Sequence, residues 1–214
     1  MQDGNIVHVL IAFGVIAVIV AAAAYLGHRR QAGKRDSLAA LAGRAGWTYA
    51  AAVPGGPAYR FTGMNAYSSW ELEGNLNPQD PGSSVTMWTA AKPTFTVHTL
   101  IVTSRLPIFA ATVADSFRHD PNPGEGAKFA EHETGSIEFN KNFIVFAYDQ
   151  AALSMINANV RRLIDAFAVK GRPGLIGVSF TRHGLGIRTA FTQDPAEVAA
   201  VVVLGEALSA EVSP

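Results

Sequence analysis

The chain contains no cysteine. That excludes a disulfide framework, a cysteine-ligated zinc site and a thiol nucleophile. Charge is scarce and unbiased: Asp, Glu, Lys and Arg make up 16% of 214 residues, and 17 basic side chains balance 17 acidic ones. A polybasic nucleic-acid binder does not fit that balance, so no nucleic-acid partner is expected. Disorder needs low hydrophobicity or high net charge, and 49% of this chain is apolar. The strong catalytic signatures are missing too. There is no G-x-G-x-x-G, Walker A, H-E-x-x-H or G-x-S-x-G pattern. The glycine-rich pieces Pro54–Pro57 and Gly184–Gly186 lack the flanks of a phosphate loop and read as turns. No cofactor is expected.

What the sequence does have is one long apolar run, Ile6 to Leu26 (IVHVLIAFGVIAVIVAAAAYL), interrupted only by His8 near its start. As a helix it would be about 31 Å long, which matches the hydrocarbon core of a bilayer. Arg29, Arg30, Lys34 and Arg35 follow it, whereas only Asp3 precedes it. Cationic flanks stay on the cytoplasmic side. The expectation is therefore a single-pass membrane protein with its N-terminus outside and its C-terminal domain in the cytoplasm. Gly14 and Ala21–Ala24 would permit close contact with other membrane proteins. The alternative is an exported protein with a cleaved signal, since Ala21–Ala24 offers small residues for cleavage. Against it, MQDGN has no basic residue and the apolar run exceeds the usual signal core. The expected organisation is an outer tail and span over 1–27, a basic juxtamembrane linker over 28–36, and one domain over 37–214. From Asp36 onward there are 13 Lys/Arg and 16 Asp/Glu. The body thus carries −3 and the anchor +3.

The body alternates strand-like and helix-like stretches, which predicts an α+β domain. We expect a mostly antiparallel sheet of seven or eight strands packed by two or three helices. Asp36 or Ser37 is positioned to cap a short helix with Leu38, Leu41, Ala42 and Ala45 on one stripe, stopped by Gly46. Strands are expected at 47–50, around Tyr59 and Phe61, and around Trp70 and Leu72, with a loop over 75–84. Further strands are expected at 85–91, 95–103 and 108–113. Residues 116–134 read as a long loop. Residues 137–148 read as a strand with Phe139, Phe143, Val145 and Ala147 on one face. Asp149 then caps a helix whose face is Ala152, Leu153, Ile156, Val160, Leu163, Ile164 and Phe167, with Arg161 and Arg162 in its last turns. A hairpin is expected at 175–181 and 185–190, with Gly184 in a positive-φ conformation. Asp194-Pro195 opens the last helix, whose buried stripe is Val198, Val201, Val202 and Leu208. Trp47, Trp70 and Trp88 are expected core anchors.

One cluster carries candidate chemistry. His119 and Asp120, with His132 and Glu133, frame the long loop. Imidazole and carboxylate together can hold a divalent ion and an activated water, so these four residues define a metal-dependent hydrolase as the alternative function. Their spacing fits no recognised metal motif, and charged residues in a Pro/Gly loop ordinarily serve to solvate it. His98 and His183 read as strand and turn residues.

The order of motifs also carries a resemblance. Leu38-Ala39-Ala40-Leu41-Ala42 leads into Gly46-Trp47-Thr48-Tyr49 after the span. Later, Glu138-Phe139-Asn140-Lys141-Asn142-Phe143-Ile144-Val145 precedes Asp149 and a helix. This resembles a family of uncharacterised bacterial single-pass membrane proteins, over nearly the whole chain in order. The resemblance implies a membrane-anchored α+β domain and brings no catalytic residues. The expected function is a non-enzymatic binding or assembly module, tethered to the bilayer through Ile6 to Leu26.

Overall fold

The computed structural model describes residues 25–26, 29–77, 79–91, 100–105, 130–148, 150–168, 174–181 and 184–212. Nine strands form one sheet: β1 (Thr48–Ala51), β2 (Tyr59–Met64), β3 (Ser69–Asn75), β4 (Val85–Ala90), β5 (Leu100–Ser104), β6 (Ala130–His132), β7 (Phe143–Ala147), β8 (Leu175–Thr181) and β9 (Gly184–Ala190). Their spatial order is β1-β2-β3-β4-β9-β8-β5-β7-β6. Every neighbouring pair is antiparallel. β1 to β4 form a meander, and the late hairpin β8–β9 is inserted between it and the strands β5, β7 and β6. The fold is α+β with a large antiparallel sheet, as expected, but with nine strands rather than seven or eight.

Among the described residues, four helices accompany the sheet: α1 (29–45), α2 (Ile137–Asn142), α3 (Ala158–Ala168) and α4 (Pro195–Glu211). α4 opens as expected. Asp194 accepts the Ala196 N–H at 2.8 Å, and Pro195 occupies the first turn, where its missing N–H costs nothing. Val198, Val201, Val202 and Leu208 are all buried. Ala200, Leu204 and Gly205 are buried with them, so α4 is apolar on more than one side. It packs on β4 and β9 and against α3.

The register defines one core face of the sheet. Phe61, Leu72, Trp88, Ile187, Val178, Val102 and Val145 lie across successive strands in one line. All seven are buried, under the helices. Aromatic rings fill the β1–β4 end. Trp47 meets Trp70 edge-on at 5.3 Å, and Tyr49 tilts against Phe61 at 5.2 Å. The expected core roles of Trp70 and Trp88 hold, with Trp47 packed beside them. Tyr59 closes the same layer: its hydroxyl donates to Thr192 O at 2.6 Å and lies 2.9 Å from Thr86 Oγ1.

Several local expectations need correction. Asp36 and Ser37 cap nothing, because α1 already runs through them from Arg29. Ser37 Oγ instead donates to Gly33 O at 2.8 Å, four residues back along the helix. No proline interrupts 29–45, so the expected linker over 28–36 is helical from 29 on. Leu38 and Ala42 are its buried contacts, Ala45 is exposed, and Gly46 ends it at φ +72°. Residues 137–142 are a helix and not a strand. Ser136 accepts the Phe139 N–H and starts it, overriding the apolar alternation. Phe139 still reaches the core. The long helix expected after 149 is divided into a 3₁₀ turn, Ala151–Met155, and α3. Asn157 caps α3 by accepting the Val160 N–H at 2.9 Å. Arg161 and Arg162 consequently sit near the start of this helix. Arg161 donates to Thr134 O and Ile156 O. The expected loop over 116–134 ends in a strand, since 130–132 pairs with β7. Gly184 does adopt positive φ, at +133°, but Gly184–Gly186 belongs to β9 and is not a turn.

Among the described residues no helix is long and apolar enough to cross a membrane. The expected span falls on 6–24, outside them. Only Tyr25 and Leu26 at its end are described, helical and exposed. The expected strand 108–113, the Asp149 cap, His98 and His183 also lie outside the described residues.

Candidate functional site

The expected metal cluster is divided. His119 and Asp120 lie outside the described residues. His132 ends the edge strand β6, where its Nε2 lies 3.3 Å from Ala147 O. Glu133 is exposed just beyond the strand. The neighbouring carboxylate, Glu131, meets the Arg105 guanidinium at 3.3 Å. Successive strand residues point to opposite faces, which parts His132 from Glu131. Among the described residues no group of three or more His, Asp or Glu side chains is placed to hold a metal ion.

The feature with the shape of a binding site lies elsewhere, on the sheet face opposite the core. Two rows cross that face. One is Thr89, Gly186, Ser179 and Ile101; the next is Met87, Arg188, Gly177 and Thr103. Each row contains a glycine, on β9 in the first and on β8 in the second. Two missing side chains, diagonal to each other, leave a groove of about 150 Å³ between the β4 side chains and Ile101. Ile101 and Ile176 are buried in its walls, Thr89 and Ser179 are half-buried, and Met87 stands exposed at its rim.

Local sequence explains the depression. A Cβ on Gly186 would lie 2.7 Å from Ser179 Oγ, and one on Gly177 would lie 3.1 Å from Val102 O. Neither site takes a larger side chain without movement. Glycine inside a strand weakens it, and it recurs where something approaches the backbone closely.

Arg188 is the one charged residue lining the groove. It is half-buried, and its Nε has no hydrogen-bond partner. The carboxylates on the same face are engaged otherwise. Glu71 meets Arg60 Nε at 2.6 Å, and Glu73 accepts from the same guanidinium. A wider recess of about 600 Å³ adjoins at Thr89, lined by Thr48, Thr62, Ser69 and Glu71.

None of these groove residues was singled out from sequence. The usable signal is glycine at strand positions in LIGVSFT and GLGIRTA, although Gly184–Gly186 reads as a turn from sequence. Arg188 looked like an ordinary polar residue in a strand. Only the pairing of β9 with both β4 and β8 brings it beside Met87 and Gly177.

No protein-family model and no curated protein matches the chain. Among solved structures it is similar to the mycobacterial trehalose monomycolate transport factor A, TtfA. The TM-score is 0.50 at 10% sequence identity, over 84% of this chain and 94% of that one. At this identity the likeness concerns the fold.

Proposed function

We propose that this chain is a membrane-tethered, non-enzymatic binding module. It belongs with the bacterial single-pass proteins that its motifs resemble. Ile6 to Leu26 anchor it, the N-terminus lies outside, and the domain works at the cytoplasmic face. The observation that carries the binding role is the division of labour in the sheet. One face is sealed under helices as core, whereas the other keeps a glycine-floored groove beside Arg188, whose Nε has no hydrogen-bond partner. A sheet stabilised by its first face is free to vary the second for recognition. The fold is also that of a protein named as a transport factor, in keeping with a role in carrying or assembling rather than in turnover.

The test is site-specific photocrosslinking in intact membranes. A benzophenone side chain at Thr89 should give a discrete adduct that the same group at Glu138, on exposed α2, does not. Equal labelling from both positions would remove the groove as the binding surface. A cytoplasm-only reporter fused to the C-terminus should be active; silence at normal expression would reverse the topology.

A further inference from the structure

The geometry points to a ligand class: we propose that the groove takes a single-chain carboxylate, with its alkyl chain over Gly177 and Gly186 and its anionic end on Arg188. This rests on the reading of the groove as a binding site.

Size comes first. A dry cavity of about 150 Å³ accommodates a benzene-sized apolar molecule. Pockets for drug-sized ligands are about 300–1,000 Å³. The groove therefore suits one thin chain segment of about six carbons. Its walls agree. Ile101 and Ile176 are buried and rigid, and Met87 at the rim is an adaptable thioether that can close over a chain.

Charge comes second. An arginine beside apolar surface, with Nε shielded from water and unpaired, lacks part of its hydrogen-bonding complement. The sheet does not supply the missing acceptor. Glu73 is opposite Met87, and Met87 is opposite Arg188. Two strand spacings, about 10 Å, separate the backbones of Glu73 and Arg188, and the Glu73 carboxylate is already held by Arg60. A ligand carboxylate supplies two coplanar oxygens, which match the guanidinium fork. Ser179 and Thr89 add hydroxyls along the first row.

The experiment uses the full chain in nanodiscs of zwitterionic lipid, with [¹³C-methyl]methionine. Met87 reports the groove, exposed Met64 reports the surface, and Met155 reports packing against the core. Hexanoate should shift the Met87 methyl saturably and leave Met64 and Met155 in place. Hexanol should bind more weakly and hexylamine not at all. Arg188→Gln should weaken hexanoate about tenfold and leave hexanol unchanged, the loss expected for one charge-assisted hydrogen bond. Ser179→Leu, which fills the groove, should abolish both responses while the Met155 signal certifies the fold.

Equal affinity for hexanoate and hexanol, insensitive to Arg188→Gln, overturns the carboxylate assignment and leaves the groove as an apolar binding site. A Met87 shift produced by phosphatidylglycerol discs before any hexanoate assigns the groove to bilayer lipid and also overturns it. Silence of Met87 to all three probes removes the ligand proposal, and the crosslinking from Thr89 then decides whether the face binds a protein.

Discussion

Gly205 of α4 lies directly over Trp88 of β4: a Cβ at Gly205 would stand 2.4 Å from the indole Cε2. Trp88 is fully buried, so the ring has nowhere to retreat. Glycine inside a helix costs about 0.5–1 kcal/mol relative to alanine, and here that cost allows helix and sheet to close. Gly205→Ala should therefore destabilise the domain by about 1–3 kcal/mol despite better helix propensity. Urea unfolding measures it, and adding Trp88→Phe should recover part of the loss. Unchanged or raised stability in the single variant would refute the contact.

The cap of α3 is the second test. Asn157 accepts the Val160 N–H, and its amide and that of Asn159 both donate to Glu211 at the end of α4. Asn157→Ala should cost about 1 kcal/mol. It should also speed hydrogen exchange at the Val160 amide. An unaltered exchange rate there would move the start of the helix elsewhere.

Tyr59 joins two elements that are far apart in sequence. Tyr59→Phe orphans Thr192 O, whereas Thr86 Oγ1 keeps the Thr192 N–H at 3.2 Å. The expected cost is about 1–3 kcal/mol near neutrality. Burial holds the Tyr59 phenol far above its ordinary pKa, opposed in part by the Thr86 hydrogen bond. The unfolded chain gives up this proton first, near pH 10. The phenol's stabilising contribution is thus complete below about pH 10 and declines above it. The stability gap between parent and Tyr59→Phe should narrow progressively as pH rises past about 10. A constant gap would contradict the buried protonated phenol.

Asp165 gives the acidic counterpart. Burial raises its pKa, opposed by Arg161 and reinforced by Glu138, and its Oδ1 lacks a hydrogen-bond partner. The folded state holds this proton more tightly than the unfolded one, so ionisation works against folding as pH rises past about 4. Asp165→Asn should melt higher than the parent at pH 7, and the difference should vanish toward pH 3. A lower melting temperature at pH 7 would show that the carboxylate stabilises the helix.

Much of this fold was legible where short-range patterning decides the outcome. Tyr59 and Phe61, and Trp70 and Leu72, alternate cleanly with polar residues, and Asp194-Pro195 is a strong helix start. Two of the errors arose where a local cap competed with that patterning. Ser136 turned an alternating stretch into a helix, and Asn157 restarted one after a 3₁₀ turn. The groove was not legible, for a different reason. Met87, Ile101, Gly177 and Arg188 come from four strands and meet only because β8–β9 enters between β4 and β5. That arrangement is a long-range pairing with no local signature.

The unbroken helix α1 has a further consequence. Residues 29–37 are exposed along it, and the first buried contact is Leu38. Each residue added between them would turn everything upstream by about 100° and shift it by about 1.5 Å. The bearing of the groove relative to Arg29 is thereby stored as a rotational phase. A single insertion near Gly33 would re-aim the domain without altering one contact inside it, and an insertion of seven residues, almost two full turns, would nearly restore its heading.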